Sequence, residues 1–243
     1  MNGPRSAPLR SAFRTHAGVV RPVNEDGYLD APEMGVWLVA DGMGGGAQGG
    51  MASRRLVEAM AAVTMTGDLA ARTHQVAATL ARVNGDLHAV AAAEGDGRLI
   101  ATTVACLLGF EAGACRCLWA GDSRVYRWRR GALVRLTRDH SQVQELLEAK
   151  RIDPAEAAGH KLRNVITRAV GAAPELDLEE TPADVEAGDI FLLCSDGLHT
   201  LVSDAELGRL LGEGSPDELA RMLVHLAVSR GAPDNVTVGI VQP

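Results

Sequence analysis

The sequence lacks any long hydrophobic run. None of its 243 residues lies in an apolar stretch that approaches the roughly 18 uninterrupted residues of a membrane-spanning helix. Residues 1–10 contain basic side chains but no hydrophobic segment of the kind found in a secretory signal. The sequence therefore predicts a soluble cytoplasmic protein that does not associate with membranes, with residues 1–10 as a disordered tail.

Cysteine pairs, zinc-binding histidine spacings and an excess of positive charge are also missing. The four cysteines form no C-x-x-C motif, which predicts reduced thiols in the core. The seven histidines show neither an H-x₃₋₅-H nor an H-E-x-x-H spacing, so zinc is not expected. The formal net charge is −7, which argues against a surface that follows nucleic-acid phosphates. The acidic residues could still bind cations, provided that they converge.

Strand-like and helix-like segments occur in separate blocks. Short apolar strands are predicted at 11–15, 27–30 and 36–40, and two helical segments follow, the second at 69–93. Four more strands are predicted between 101 and 136, one at 189–194 and one at 236–241, with helices at 204–211 and 216–230. This block order excludes a βαβ parallel sheet and favours antiparallel sheets covered by paired helices. We expect a single domain over 11–243, with an exposed flap at about 142–165.

Two separate segments share one pattern, an apolar strand that runs directly into Asp-Gly. The first ends at Asp41-Gly42 and the second at Asp196-Gly197. A carboxylate at the end of a buried strand is costly without a partner, and glycine lets the backbone approach a ligand closely. A single Asp-Gly pair is more often a turn or a helix N-cap. Two such pairs in similar settings favour a shared site.

Further acidic residues occupy comparable positions. Glu25 and Asp26 precede a predicted strand, Asp122 follows one, and Asp234 comes just before the last strand. Carboxylates without nearby His or Cys ligands suit the hard cations Mg²⁺ and Mn²⁺. For Asp122 a second interpretation stays open, a turn acid paired with Arg124.

The glycine-rich loop offers an alternative function. Residues 44–49 fit G-x-G-x-x-G, follow a strand and open a helix, as in dinucleotide-binding oxidoreductases. A lone match is a weak signal, and the elements after the helices begin an antiparallel series. No G-x-x-x-x-G-K-[ST] sequence is present, which excludes a P-loop.

Seven motifs, in order, resemble those of the bacterial branch of the metal-dependent Ser/Thr protein phosphatases, the PPM or type 2C family. They lie at 21–26, 39–45, 120–126, 136–141, 164–171, 194–198 and 234–237 and so cover nearly the whole chain. The resemblance implies an α+β fold, a four-layer αββα sandwich. Two antiparallel β-sheets pack face to face in it, with helix pairs outside and the metal site at one end.

The resemblance also implies a reaction. Phosphoserine and phosphothreonine on proteins would be hydrolysed by direct attack of a hydroxide that bridges two Mn²⁺ or Mg²⁺ ions, opposing a bacterial Ser/Thr kinase. Among the implied catalytic residues, Arg21 grips the substrate phosphate, Asp41 bridges the two ions and Asp196 ligates one of them. No protein nucleophile is needed, so a phosphoenzyme is not expected.

The remaining metal positions follow from the same resemblance. The Gly42 carbonyl ligates one ion, Asp234 completes a ligand shell with Asp196, and Glu25 and Asp26 hold metal-bound waters. Asp122 matches a position that bacterial members use for a weaker third ion. The implied partners are phosphorylated proteins, including a cognate kinase, and the chain is expected to be a monomer that binds no nucleic acid.

One position departs from the eukaryotic branch, which has His directly after the first Asp-Gly. Here that residue is Met43, as in many bacterial members, so the general acid is not assigned. A metal-bound water is the first candidate and His16 the second. Ser123 and Ser195 lie beside site acids but have no apparent base, and are interpreted as structural. A catalytically inactive phosphoprotein-binding domain of the same fold is the alternative from another functional class.

Overall fold

The computed structural model describes residues 9–44, 47–94, 97–157 and 159–243. The strands are β1 (Arg10–His16), β2 (Asp26–Ala31), β3 (Val36–Met43), β4 (Ala101–Thr102), β5 (Val104–Glu111), β6 (Ala114–Ala120), β7 (Arg124–Arg129), β8 (Ala132–Arg135), β9 (Glu179–Asp184), β10 (Ile190–Cys194) and β11 (Val236–Gln242). The helices are α1 (Ala47–Ala61), α2 (Leu69–Glu94), α3 (Gln142–Glu148), α4 (Pro154–Ala157), α5 (Asp196–His199), α6 (Asp204–Leu210) and α7 (Pro216–Ser229). Most of the predicted tail, residues 1–8, lies outside the described residues, and Arg10 already belongs to β1.

The strands form two sheets. One has the order β1-β11-β10-β7-β8, and the other has the order β2-β3-β5-β6-β9 with β4 beside β3. Every strand pairing in both sheets is antiparallel. Within the described ranges no parallel βαβ unit occurs, so the dinucleotide-binding alternative has no structural basis.

The two sheets and the helices stack in four layers. Trp37 and Val39 of β3 lie between the sheets with Phe13 and Phe191. The alternate β3 residues face α1 and α2 instead, and with them form a second buried cluster. Because both faces of β3 are covered, its sequence is continuously apolar rather than alternating. On the other side, α6 and α7 cover β10 and β11. The predicted αββα sandwich is confirmed.

One strand was not predicted. Strand β9 has the sequence EETPAD and alternates between partly buried and exposed positions at the edge of its sheet. Charged residues and Pro182 are typical of edge strands, where they discourage pairing with other chains. Because of these residues β9 has no apolar run, which is the pattern from which buried strands are predicted.

The cysteines lie in the core, as the sequence predicted. All four cysteines are buried and unpaired, and burial raises the pKa of Cys106 to about 12. In the parts of the chain that the structure describes, no helix has the length and apolarity needed to cross a bilayer.

Candidate metal centre

Acidic side chains converge at one end of the two sheets. The C-terminal ends of β3 and β10 meet there with the N-terminal ends of β2 and β11. A pocket of about 300 Å³ opens at this point, and six of the seven predicted metal-binding positions line it together with Arg21. Those six are Glu25, Asp41, Gly42, Asp122, Asp196 and Asp234. The seventh, Asp26, lies opposite Asp41 in the β2–β3 ladder.

The backbone of Asp41 is fixed by two threonines. Its N–H donates to Thr103 Oγ1 at 2.9 Å, and its carbonyl accepts from Thr102 Oγ1 at 3.0 Å and from the Thr103 N–H at 2.9 Å. Thr103 Oγ1 in turn lies 2.7 Å from Ser123 Oγ. These bonds use the main chain and leave the Asp41 carboxylate free to face the pocket. This role was not predicted from the sequence, although two adjacent threonines before an apolar strand were a visible signal.

Both Asp-Gly pairs sit where only glycine fits. A Cβ added to Gly42 would lie 2.1 Å from the carbonyl oxygen of Gly49, and a Cβ added to Gly197 would lie 2.0 Å from that of Asn235. Real Cβ atoms do not approach backbone oxygens so closely, so each glycine is required by packing. The backbone of each Asp-Gly pair therefore packs in direct contact with the backbone of a neighbouring segment, at Gly49 or at Asn235.

Asp26 is anchored from the second sheet. Its Oδ2 accepts from Ser195 Oγ at 2.8 Å and from Thr237 Oγ1 at 2.7 Å. Ser195 therefore acts as a donor to this carboxylate, which agrees with its interpretation as structural. The other oxygen, Asp26 Oδ1, is buried without a hydrogen-bond partner.

The loop that carries Arg21 is held by Asn235. The side-chain amide of Asn235 donates to the carbonyls of Ala17 at 2.9 Å and Val23 at 3.0 Å, and its Oδ1 accepts from the Glu25 N–H at 2.7 Å. Arg21 itself forms an ion pair with Asp234, with Nη2 2.7 Å from Oδ2. The loop is therefore fixed at both ends, and Arg21 is directed to the pocket.

The carboxylates of the site are in an electrostatically unfavourable arrangement. Burial, and then repulsion from neighbouring carboxylates, raises the pKa of Asp26 to about 7, of Asp122 to about 8 and of Asp196 to about 6. The same causes raise the pKa of Asp41 well above its usual range. Such acids are stabilised in the ionised form by a cation.

The oxygen atoms present fit hard divalent cations. Glu25 Oε1, Asp26 Oδ1 and Asp196 Oδ1 are buried oxygens without hydrogen-bond partners in the described structure. Within the described residues, no group of three His, Cys, Asp or Glu side chains is already closed around a single point. The carboxylates line a shared pocket instead, an arrangement that suits ions which keep several of their waters, as Mg²⁺ does.

These pKa values predict how pH acts on the metal-free protein. The carboxyl groups whose pKa is raised bind more protons in the folded than in the unfolded state. The free energy of unfolding therefore falls as pH rises from about 4 to about 8. A bound divalent cation replaces those protons. We therefore expect the difference in melting temperature between Mg²⁺ and EDTA samples to widen from pH 5 to pH 8. Samples with K⁺ at equal ionic strength are the control, and a difference independent of pH would contradict the account.

The segment predicted as a flap, residues 142–165, adjoins the carboxylate pocket. It contains α3 and α4, and its ends are joined by a bridge between Ser141 and Ile166. A second pocket of about 540 Å³ lies under it and shares Asp122, Asn164 and Asp196 with the first. Asn164 and Ile166 are thus site residues that the sequence analysis did not assign individually, although motif 164–171 contains both.

Arg124, the alternative partner of Asp122, pairs with a different acid. Its guanidinium forms two hydrogen bonds with Asp139, at 2.9 and 2.6 Å, rather than pairing with Asp122. The main-chain oxygen of Asp122 instead lies 3.0 Å from His199 Nε2. Burial lowers the pKa of His199 to about 3, so the ring is neutral and donates from Nε2. The Asp122 side chain remains available to the two pockets.

Histidine does not line the carboxylate pocket anywhere in the described ranges, whereas Met43 does. The Nδ1 atom of His16 accepts from the Gly18 N–H, outside the pocket lining. A larger cavity of about 820 Å³ lies at the opposite end of the same strands, near Gly35 and Phe110. Three glutamates line it, but Glu111 pairs with Arg72 and Glu186 pairs with Arg129, so it does not collect unpaired acids as the smaller pocket does.

Comparisons with known proteins give a family for the chain. The family model "Protein phosphatase 2C" matches residues 22–231. The serine/threonine protein phosphatase PstP of Mycobacterium tuberculosis is 37% identical over 233 residues, which are 95% of this chain and 44% of PstP. The chain thus spans less than half the length of that relative.

Solved structures share the fold at similar identity. PppA, described as a key regulatory component of the T6SS in Pseudomonas aeruginosa, superimposes with a TM-score of 0.90 at 43% identity, covering 98% of each chain. The catalytic domain of PstP in complex with two manganese ions superimposes with a TM-score of 0.82 at 36% identity, covering 96% of this chain and 97% of that one.

Proposed function

Because the chain belongs to the protein phosphatase 2C family, we propose that it hydrolyses phosphoserine and phosphothreonine on proteins with two Mn²⁺ or Mg²⁺ ions as cofactors. One observation carries the proposal: five carboxylates and one guanidinium, from separate segments of the chain, line a single pocket of about 300 Å³. The relative with two manganese ions in its catalytic domain supports the choice of metal. Intact acidic positions argue against an inactive binding domain.

The family resemblance indicates which residues would hold the ions. Asp41, whose carboxylate is close enough to Asp26, Asp122, Asp196 and Asp234 to be repelled by them, would ligate the ions together with the Gly42 carbonyl. Asp196 and Asp234 would complete one ligand shell. Asp26, already engaged through Oδ2, has one free oxygen, and that oxygen suits contact with a metal-bound water.

Arg21 would orient the substrate. Its planar guanidinium offers parallel donors that match two oxygens of a phosphate. In the structure Arg21 pairs with Asp234. A phosphate that enters the pocket would therefore replace Asp234 as the acceptor for some of the guanidinium N–H groups. When bound, the divalent ions supply positive charge at the phosphate and lower the pKa of a water that can attack phosphorus. Water in the pocket is the first candidate to supply the proton for the leaving hydroxyl, since no histidine of the described ranges lines the pocket.

The proposal is tested by phosphate release from phosphopeptides. We expect release from phosphoserine and phosphothreonine peptides in Mn²⁺ and none after EDTA treatment, with activity restored by added metal. Equal activity with and without EDTA would contradict metal dependence. Binding of phosphopeptides without any turnover in Mn²⁺ would favour the inactive binding domain.

A separate prediction concerns Asp122. Its side chain lines both pockets and is not paired with Arg124, so we propose that it ligates a third, weakly held ion beside the flap. Asp122→Ala should leave two ions tightly bound and lower turnover, more for phosphopeptides than for p-nitrophenyl phosphate. The matched control is Asp204→Asn, because Asp204 lines the second pocket, under the flap, but not the carboxylate pocket. Identical Mn²⁺ isotherms and activities in wild type and Asp122→Ala would make Asp122 a structural residue.

We also propose that the substrates include a bacterial Ser/Thr kinase and that the protein acts as a cytoplasmic monomer. The site is assembled from one chain, which supports a monomeric enzyme, and four buried unpaired cysteines fit a reducing compartment. Dephosphorylation of the autophosphorylated kinase, together with a mass measurement by light scattering, tests the kinase and the monomer.

A further inference from the structure

Two histidines outside the carboxylate pocket bond to the turn that carries Asp122. His199 Nε2 lies 3.0 Å from the main-chain oxygen of Asp122, and because a carbonyl oxygen only accepts, Nε2 is the donor. His140 forms two bonds with Gly121: its Nδ1 accepts from the Gly121 N–H at 3.2 Å, and its own N–H donates to the Gly121 carbonyl at 3.0 Å. Because these bonds go to the main chain, they leave the Asp122 carboxylate free to face the pockets.

The His199 bond joins Asp122 to the segment that carries Asp196. Helix α5 begins at Asp196 and ends at His199, so the two residues are one helical turn apart. Gly197 packs this helix directly on the main chain of Asn235, since a Cβ added to Gly197 would lie 2.0 Å from the Asn235 carbonyl oxygen. His199 is therefore held on a fixed support and reaches from it to the chain between β6 and β7.

Asp122 and Asp196 are the acids for which such a connection matters most. Within the part of the chain that the structure describes, they are the two acids that line both the carboxylate pocket and the pocket under the flap. Their carboxylates are close enough to repel each other. Repulsion favours movement of the Asp122 turn away from Asp196, and a bond from the Asp196 helix to that turn opposes this movement.

The neighbours of Asp122 in the turn are held by other contacts. A Cβ added to Gly121 would lie 2.6 Å from Thr103 Cγ2, and Ser123 Oγ lies 2.7 Å from Thr103 Oγ1. These contacts fix the residues on either side of Asp122. His199 supplies the hydrogen bond at Asp122 itself.

We propose that His199 is a positioning residue for Asp122, whose carboxylate it holds at the border between the two pockets through the main chain. The corresponding motif of the family resemblance, 194–198, ends before His199 and gives it no role. The inference rests on the proposed function, and within it on the weakly held ion at Asp122. Loss of the His199 bond should loosen that ion and leave the two tight ions in place.

The test compares Mn²⁺ binding isotherms of His199→Gln and His199→Met. The two replacement side chains have the same length, but only Gln retains an N–H donor. Because one hydrogen bond changes an equilibrium constant about two- to tenfold, His199→Met should bind the weak ion less tightly by that factor. His199→Gln should bind it with nearly the affinity of the wild type. His225→Met is the matched control, because His225 is exposed on α7 and lines neither pocket.

A double variant separates positioning from a general structural effect. Asp122→Ala has no carboxylate to position, so the addition of His199→Met should leave its Mn²⁺ isotherm unchanged. An effect of His199→Met that persists in the Asp122→Ala background would overturn the inference. Equal losses in His199→Gln and His199→Met, no loss in His199→Met, or unfolding of His199→Met in EDTA would overturn it as well.

Failure of this inference can be told apart from failure of the proposed function. Identical isotherms for the wild type and Asp122→Ala would remove the weak ion and the role of His199 together. Hydrolysis of p-nitrophenyl phosphate by the wild type with Mn²⁺ reports the phosphatase activity independently of His199. If that hydrolysis occurs, only the weak ion and its positioning fail, and if it does not occur, the proposed function fails too.

Discussion

Replacing Asp41 or Asp196 by Asn should lower phosphopeptide kcat/KM by at least about 10³-fold, since each change removes a charged ligand from a site whose ions contribute several kcal/mol to the barrier. The fold should persist. In EDTA the variants should be as stable as the wild type or more stable, because burial, and then repulsion among the site carboxylates, raises the pKa values of both acids and Asn removes one buried charge. Activity and metal-free stability are thus expected to change in opposite directions.

The measurement pairs steady-state kinetics in saturating Mn²⁺ with chemical denaturation in EDTA. Asp177→Asn is the control, because Asp177 is an exposed acid that pairs with Arg168 away from the pocket. Near-wild-type turnover in Asp41→Asn or Asp196→Asn would end the two-metal interpretation. A loss of activity accompanied by unfolding in EDTA would assign the two acids a structural role.

Arg21→Ala is expected to lower kcat/KM by about 10²–10³-fold on both small and peptide substrates, the effect typical of removing a donor aimed at developing charge. Mn²⁺ binding should be no weaker, because Arg21 pairs with the proposed ligand Asp234 in the described state and its removal frees that oxygen. Arg21→Lys should restore part of the activity, since an ammonium cannot make the two parallel bonds of a guanidinium.

Kinetics and calorimetry on the same preparations separate these effects. Arg14→Ala is the matched control, because Arg14 is similarly exposed and pairs with Asp217, away from the pocket lining. Full recovery in Arg21→Lys would show that a positive charge alone is sufficient. Weaker Mn²⁺ binding in Arg21→Ala would mean that the residue supports the metal site rather than the phosphate.

The layers and the site acids were predictable because each leaves a local signal. Buried strands such as β3 are continuous apolar runs, and a carboxylate at the end of such a run calls for a partner. Six acids and two Asp-Gly pairs therefore indicated a shared site, and the family resemblance implied that it lies at one end of the sandwich. The edge strand β9 escaped prediction because its stabilising feature, exposed charge, is also typical of loops.

The pairings inside the site were less accessible, because they join residues far apart in the chain. Asp26 is held by Ser195 and Thr237, more than 160 positions away, and Asn235 organises a loop more than 200 positions before it. No local spacing encodes such contacts. The partner of Arg124 was likewise undecided until the structure placed Asp139 against it.

The two-ion site is best tested by a Mn²⁺ titration of metal-stripped wild-type protein, with turnover measured on the same samples. We expect two ions to bind tightly per chain and phosphothreonine peptide turnover to rise as the second of them binds. Turnover by the stripped protein, or tight binding of two ions without any phosphate release, would contradict it.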